Sequence, residues 1–511
     1  MRMWVSFHPL HIFHLRRRDL CLLPKAMGGA LISCAILLVA RRLSRVCAAI
    51  EVGLLLLLNI FPSPKYFTSI IYKIVAVFFL GTGFLNLGCS NPPKVPPLPP
   101  EVPVEEFTSE VVANIYVDGT LSMLGFVKPG ANTRYCKVIE ALEGCIISGW
   151  SQAEVNFFKF GDDIVPLQGR EYIRAKEPSF YENDKINRLT RIQRVIDHVD
   201  TVSMSLILTD LFQTDSDVNL LIRQIKEKCF QQNLAFGILG IRSEYDGNIY
   251  DLGPNKPAIY YQSHNQDEST LRPFYILLLG RHVDIVHFYE QLRSSGLDFS
   301  INEFMAYSPY LTSKPVSFKG AIIDSAFFLA EVPNLIPYSL SDSRVKQFRI
   351  QSNPKVAAFV ATVAYAPAPY GMSFDQSQLE VEISAIQCLP DTFFSNPQAA
   401  SALSLTEWQI TSSGMTLRGE ISPALLPGDG LYFYEVVLRP KLDAYQYPLW
   451  FSAWDMEKAA SVSNGFSISA GRKPAGASTL NLYRLLVDLW KSNVVIHEPR
   501  LATLYCYFRM G

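Results

Sequence analysis

Histidine and cysteine are scarce in this chain, eight and nine in 511 residues. Only five histidines (His198, His264, His282, His287 and His497) lie beyond residue 88, and His282 and His287 are spaced to flank or face a helix surface without a metal. No H-E-x-x-H, G-x-x-x-x-G-K-[ST] or G-x-S-x-G occurs, so the zinc-protease, P-loop and nucleophile-elbow chemistries have no motif here. The cysteines beyond Cys89 (Cys136, Cys145, Cys229, Cys388 and Cys506) form no disulfide framework. Cys136 and Cys145 fall on one expected helix, about 14 Å apart at 1.5 Å per residue, beyond the reach of a disulfide. Cys229 reads as a buried apolar position. Positive charge is missing from the body. Residues 1–64 hold eight basic and two acidic side chains, Lys65 and Lys73 follow, and the chain is −1 overall, so residues 89–511 carry −9. That excludes a nucleic-acid partner, which needs its positive charge on the folded part. No internal repeat is present. Aromatic residues, at 12%, exclude disorder for most of the body.

The basic, apolar head points to membrane targeting. Its apolar runs Gly28–Ala40, Val52–Phe61 and Ile74–Leu87 are each shorter than the roughly 20 residues a spanning helix requires. The third has a basic approach (Lys65, Lys73) and ends in small residues, the pattern of a secretory signal. Leu85-Asn86-Leu87-Gly88-Cys89 resembles the lipobox of bacterial lipoproteins, which implies lipidation of Cys89, a membrane anchor and a cell-envelope location facing outward. The competing reading is an uncleaved signal or transmembrane anchor with an incidental cysteine. No methionine lies between Met27 and Met123. Either translation begins near residue 60 at a non-Met codon, leaving residues 1–60 unexpressed, or the head is a membrane-embedded helical pair. Seven prolines follow in SNPPKVPPLPPEVPVEE, which predicts an extended, semi-rigid spacer.

From Glu110 strand and helix patterns alternate. Strands are expected at Val111–Val117, Glu154–Phe160, Met204–Leu208, Ala235–Ile241 and Phe274–Leu279. Helices are expected at Ala131–Ser148, Lys185–Val199, Asp217–Cys229 (Asp217 as N-cap) and Val283–Leu292. Continuous apolar strands separated by helices predict an α/β, doubly wound, mostly parallel sheet covered on both faces. From about Asp298 the chain becomes strand-rich, predicting a β-rich, sandwich-like domain. The expected divisions are a basic apolar head at 1–64, a lipoprotein-type signal at 65–89, a Pro-rich linker at 90–108, the α/β domain at 109–297, a connector at 298–345, the β-rich domain at 346–475, and a C-terminal helix and strand at 476–511.

The first strand of the α/β unit ends Asp118-Gly119-Thr120-Leu121-Ser122, a D-x-[ST]-x-S at a strand's carboxyl end. One carboxylate and two hydroxyls at alternate positions can converge there on one point, and hard divalent cations want oxygen ligands. Leu206-Ile207-Leu208-Thr209-Asp210 is a second apolar strand ending in an acid. Together these resemble the von Willebrand factor A-type domain and its metal-ion-dependent adhesion site. The resemblance covers about residues 109–297 and implies a metal held by Asp118, Thr120, Ser122, Thr190 and Asp210, with Asn187 the competitor for the position given to Thr190. It implies Mg²⁺ (or Mn²⁺ or Ca²⁺), a protein ligand offering a carboxylate, and binding without turnover, as in adhesion or scaffolding. Local capping by Asp118 and backbone bonding by Thr120 and Ser122 is the purely structural alternative.

Asp118-Gly119-Thr120-Leu121 also spells part of the D-x-D-G-T-L of haloacid-dehalogenase-like phosphatases. Tyr116 stands at the nucleophile's place, and a phenol with a pKa near 10 is a poor substitute for a carboxylate. Asp162 and Asp163 sit at a strand end near the expected cleft, and the insert Ser243–Thr270 is placed to shape a partner surface or to be a variable loop.

Overall fold

The computed structural model describes residues 93–511 apart from 102–103, 183–186, 213–217, 251–256, 265–266, 298–301, 333–334, 337–341, 352–353 and 459–474. The expectations for the head, the signal and Cys89, and for Asp217 as a cap, lie outside the described residues.

The first sheet has seven strands: β1 (Glu110–Asp118), β2 (Gln152–Phe160), β3 (Ile164–Leu167), β4 (Met204–Thr209), β5 (Ala235–Ser243), β8 (Arg272–Gly280) and β9 (Asn302–Tyr307), in the order β3-β2-β1-β4-β8-β5-β9. A hairpin of β6 (Asp246–Ile249) and β7 (Ile259–Gln262) extends from the β5–β8 connection. Helix α1 (Arg134–Gly149) begins where the Thr133 hydroxyl accepts the Cys136 N–H, an N-cap bond that meets one orphan donor of the first turn. It packs with α4 (His282–Ser294) on one face of the sheet. Helices α2 (Ile192–Asp197) and α3 (Val218–Lys228) cover the other.

Period-two alternation sends each strand's side chains into two cores. Phe274, Ile276 and Leu278 of β8 enter the core beneath α1 and α4. Tyr275, Leu277 and Leu279 enter the core beneath α2 and α3. This two-sided burial is what the continuous apolar runs encode.

Direction is another matter, and the mostly parallel expectation is corrected. Only β2, β1 and β4 form parallel pairs. Strand β8 runs antiparallel to both β4 and β5, and β3 and β9 are antiparallel to their neighbours. A strand buried on both faces is apolar throughout whichever way it runs. Here β5 and β8 pair as the arms of one long hairpin, Ser243 opposite Arg272 and Ala235 opposite Gly280, and an antiparallel pair needs no crossover helix.

Helix α2 is also shorter than the expected Lys185–Val199. It starts only at Ile192, because the preceding residues form a loop that buries Asn187 and Thr190. Tertiary hydrogen bonding there overrides helical periodicity.

Residues 302–510 hold most of the remaining strands. Strands β10 (Ile322–Phe327), β13 (Ala357–Ala364), β18 (Gly414–Ile421) and β17 (Leu403–Ile410) form one antiparallel sheet in that order. Strands β11 (Leu329–Glu331), β12 (Val345–Ile350), β21 (Ala502–Met510), β19 (Gly430–Pro440), β15 (Leu379–Cys388) and β16 (Phe393–Ser395) form a second, with β12 and β21 its single parallel pair. Ser373–Phe374 (β14) and Tyr445–Gln446 (β20) make a short ribbon. The two large sheets meet through rings: Phe359 of β13 lies 5.4 Å from Phe348 of β12 and 6.3 Å from Phe508 of β21. Gly419 of β18 accommodates this packing, since a Cβ there would stand 2.3 Å from the Phe359 ring.

Helix α5 (Leu482–His497) joins the halves. Its Leu486 and Leu489 share one core with Ile225 of α3, Phe236 of β5 and Tyr434 of β19. The first sheet likewise continues past residue 297 to β9, so the α/β and β-rich halves are built around common apolar contacts.

The Pro-rich segment does not stand free. Lys94 N–H donates to the Leu389 carbonyl at 2.8 Å, Val95 and Leu98 pack beside Leu335 and Tyr505, and Arg344 donates to the Pro99 carbonyl. Glu105 then accepts the Val283 N–H at the start of α4, and the Phe107 ring lies 4.5 Å from His287. An extended chain leaves its backbone groups unpaired, and here the folded body supplies partners for some of them. The spacer expectation is therefore corrected to a strap. It walls a cavity of about 600 Å³ with α4 and the stretches 308–317 and 497–505, away from the residues described next.

Candidate functional site

Strand β1 ends at Asp118, and the Gly119 N–H still bonds back to the Phe160 carbonyl at 2.8 Å. Position 119 has no room for a side chain: a Cβ would meet the stem of Lys159 at 2.3 Å. Lys159 is buried, donates to the Phe180 carbonyl at 2.6 Å and lies over the Phe180 ring. The chain then turns. Asp118 Oδ1 accepts the Thr120 N–H at 3.0 Å and the Thr120 hydroxyl at 2.7 Å, the local bonding expected of aspartate at a turn. Met123 N–H reaches the Thr120 carbonyl, and a short 3₁₀ turn follows at Leu124–Phe126.

The five residues singled out in the sequence meet. Thr190 Oγ1 is 2.8 Å from Thr120 Oγ1. Ser122 Oγ donates to Asp210 Oδ1 at 3.1 Å and lies 3.2 Å from Thr120 Oγ1. All five are buried, Asp118 completely and Asp210 at 1% exposure. With the Thr120 proton given to Asp118 and the Ser122 proton to Asp210, Thr190 donates to Thr120. The Thr120–Ser122 contact is then two oxygens facing each other with no proton between them. Asn187 belongs beside this group, not in it: its Nδ2 shares the Phe180 carbonyl with Lys159, and its buried Oδ1 has no hydrogen-bond partner among the described residues.

Three further participants were not among the candidate ligands. Thr209 donates to Asp118 Oδ2 at 2.9 Å and accepts the Leu211 N–H. Arg272 Nη2 pairs with Asp210 Oδ2 at 3.2 Å, with both side chains at or below 2% exposure. Tyr245, from the insert Ser243–Thr270, donates to the Asn248 carbonyl at 2.7 Å and sits 3.2 Å from the Ser122 carbonyl, with Arg272 stacked 5.2 Å above its ring. The signal for Arg272 was present as a guanidinium heading an otherwise apolar strand. It becomes meaningful only once β8 is known to be antiparallel, which brings its first residue to the edge where β1 and β4 end. Asp162 and Asp163 instead pair with Arg191 and Arg194. His282 and His287 donate to the Pro369 and Gly149 carbonyls. All five described cysteines are free and buried.

The electrostatics follow from burial. The Asp118 carboxyl is pushed up to about 7, first by burial and then by the neighbouring Asp210 charge, against the hydrogen bonds from Thr120 and Thr209 that favour the carboxylate. After Arg272 is counted against Asp210, one buried carboxylate remains to be neutralised. A proton or a hard cation does this equally well in principle. The donor set of two carboxylates and three converging hydroxyls, two of which face each other through lone pairs, suits a Mg²⁺-like ion. Among the described residues no group of three or more His, Cys, Asp or Glu side chains is placed to hold a metal. Leu211, directly after Asp210, has a positive φ of 63°, a turn that aims the Phe212 N–H back at Asp210 Oδ1.

Leu121, next to Thr120, is exposed, as are Ile259 and Tyr260 on the β7 arm of the hairpin in the insert. No helix among the described residues is long and apolar enough to cross a membrane. No protein-family model matches the chain, and no curated protein matches it.

Proposed function

We propose that the chain is a divalent-cation-dependent protein-binding module. Asp118, Thr120, Ser122, Thr190 and Asp210 would hold Mg²⁺ or a similar ion, and the surrounding rim would contact the partner. The observation that carries this is the meeting of three hydroxyls and two carboxylates from residues 70 to 90 positions apart at the carboxyl edge of β1 and β4, the place where open α/β sheets bind ligands. The likeness to the von Willebrand factor A-type site supports it, as do the β2-β1-β4 parallel core and the helices on both faces. When bound, the ion would supply directional affinity for a partner's carboxylate. The protein's own residues would fix the position of the donors and exclude bulk water, and the exposed Leu121, Ile259 and Tyr260 would select the partner. Asp118, the most buried donor, would give up its proton as the ion enters.

The phosphatase alternative has no support in the site's geometry. Tyr116, at the nucleophile's place, is buried and stacked on Phe158 at 4.8 Å. We further propose a cell-envelope location, with Cys89 as the lipidated anchor.

Calorimetric titration of the full chain with Mg²⁺ and Mn²⁺ tests the site. Saturable binding by the wild type and its loss in Asp118→Asn are expected. A wild type that binds neither ion ends the proposal.

A further inference from the structure

Arg272, ion-paired with Asp210, works against a metal ion at this cluster. It heads β8, and because β8 is antiparallel its guanidinium arrives where β1 and β4 end. It is held there from three sides, by Asp210 Oδ2 at 3.2 Å, by the Gly476 carbonyl at 3.2 Å and by the face of Tyr245. Tyr245 is itself fixed by its bond to Asn248 and by Gly125, whose Cα leaves only enough space for the tyrosine ring.

Both oxygens of Asp210 thus carry protein donors. Oδ1 accepts from Ser122 Oγ and the Phe212 N–H, and Oδ2 accepts from Arg272.

We propose that Arg272 is a tethered counter-cation that competes with the divalent ion for Asp210 and thereby sets the affinity of the site. The inference rests on the cation-site reading above. Its physical basis is the absence of screening. Arg272 and Asp210 are at 2% and 1% exposure, so solvent and salt weaken neither their attraction nor the repulsion between the guanidinium and an incoming dication. Guanidinium stays protonated at every working pH, so a change of pH cannot remove this competitor. An ion drawing on Asp210 binds a carboxylate whose Oδ1 already accepts from Ser122 and whose Oδ2 is held by Arg272, so it meets a site carrying one negative charge fewer than it would without the guanidinium. In return, Arg272 holds Asp210 in place while no ion is bound.

The test is calorimetric titration of the full chain with Mn²⁺ and with Mg²⁺, comparing wild type, Arg272→Met, Arg272→Gln and Arg272→Lys, each checked by circular dichroism and a cooperative melt. Methionine keeps the length of the stem without charge. Glutamine keeps a donor for Asp210 without charge, and it stands in if the methionine variant fails to fold. Lysine keeps the charge. Arg272→Met or Arg272→Gln is expected to bind Mn²⁺ at least roughly tenfold more tightly than wild type, equivalent to about 1.4 kcal/mol, with Arg272→Lys close to wild type. Wild-type binding with equal or weaker binding by both neutral variants overturns the role of Arg272 and leaves the cation site standing. Folded wild type and folded neutral variants that all fail to bind overturn the cation-site reading and this inference with it.

Discussion

The buried Arg272–Asp210 pair allows a quantitative test of the fold that is independent of any bound ion. Replacing Arg272 by methionine in metal-free buffer keeps a chain of similar length but strands the Asp210 carboxylate, whose side chain is 1% exposed. At 3.2 Å and an effective dielectric of 20 the lost attraction is about 5 kcal/mol. Breaking a buried pair by removing one partner typically costs about 3–5 kcal/mol. Asp210 retains the Ser122 hydroxyl and the Phe212 N–H, which places the expected loss toward the lower end, about 3 kcal/mol. Removing both charges, as Arg272→Met with Asp210→Asn, leaves no isolated buried ion. The double variant is therefore expected to lose less than the sum of the single variants, with a coupling of about 2 kcal/mol or more. Urea unfolding at pH 7 with chelator present measures all four proteins. If Arg272→Met costs under about 1 kcal/mol, or if the two changes simply add, the pair is not the isolated, unscreened contact described here.

Other consequences are open to measurement. His282, buried and donating to the Pro369 carbonyl, has its pKa pushed down from 6.5 to about 4 by burial. The folded protein therefore refuses a proton that the unfolded chain accepts. Stability should be full above pH 6.5 and fall as pH drops toward 4, by about 3 kcal/mol from this residue, a decline that His282→Gln should flatten in urea titrations at stepped pH. Gly419→Ala should destabilise by about 1–3 kcal/mol, because its Cβ would stand 2.3 Å from the Phe359 ring; an unchanged melting temperature would mean that the ring shifts freely. Thr133→Ala should cost about 1 kcal/mol by removing the cap on α1, with Thr133→Ser close to wild type. Leu211→Val should cost about 1–2 kcal/mol, since a β-branched side chain tolerates the positive φ at that position worse than leucine does.

Strands β1, β2, β4, β5 and β8 of the first sheet, though not its edge strands β3 and β9, and the amphipathic α1, α3 and α4 were legible in the sequence, because burial on two faces or one leaves its period in the residues themselves. So were Asp118, Thr120 and Ser122: three residues alternating at the end of an apolar strand are close in space however the rest of the chain folds. Asp210 was legible for the same reason, as an acid at the end of a second such strand. What local pattern cannot carry is direction and pairing. The residues of β8 would read the same in a parallel strand, yet its antiparallel course alone delivers Arg272 to Asp210. Thr190 could be named only through the resemblance, with Asn187 as competitor; the choice between them follows from a hydrogen bond made to a residue 70 positions away. The Pro-rich strap was recognisable as extended, but extension is the same for a chain in water and for one lying on a sheet. Periodicity and turn chemistry are properties of neighbours along the chain. Competition between two cations for one carboxylate depends on neighbours across space, and only the tertiary structure decides those.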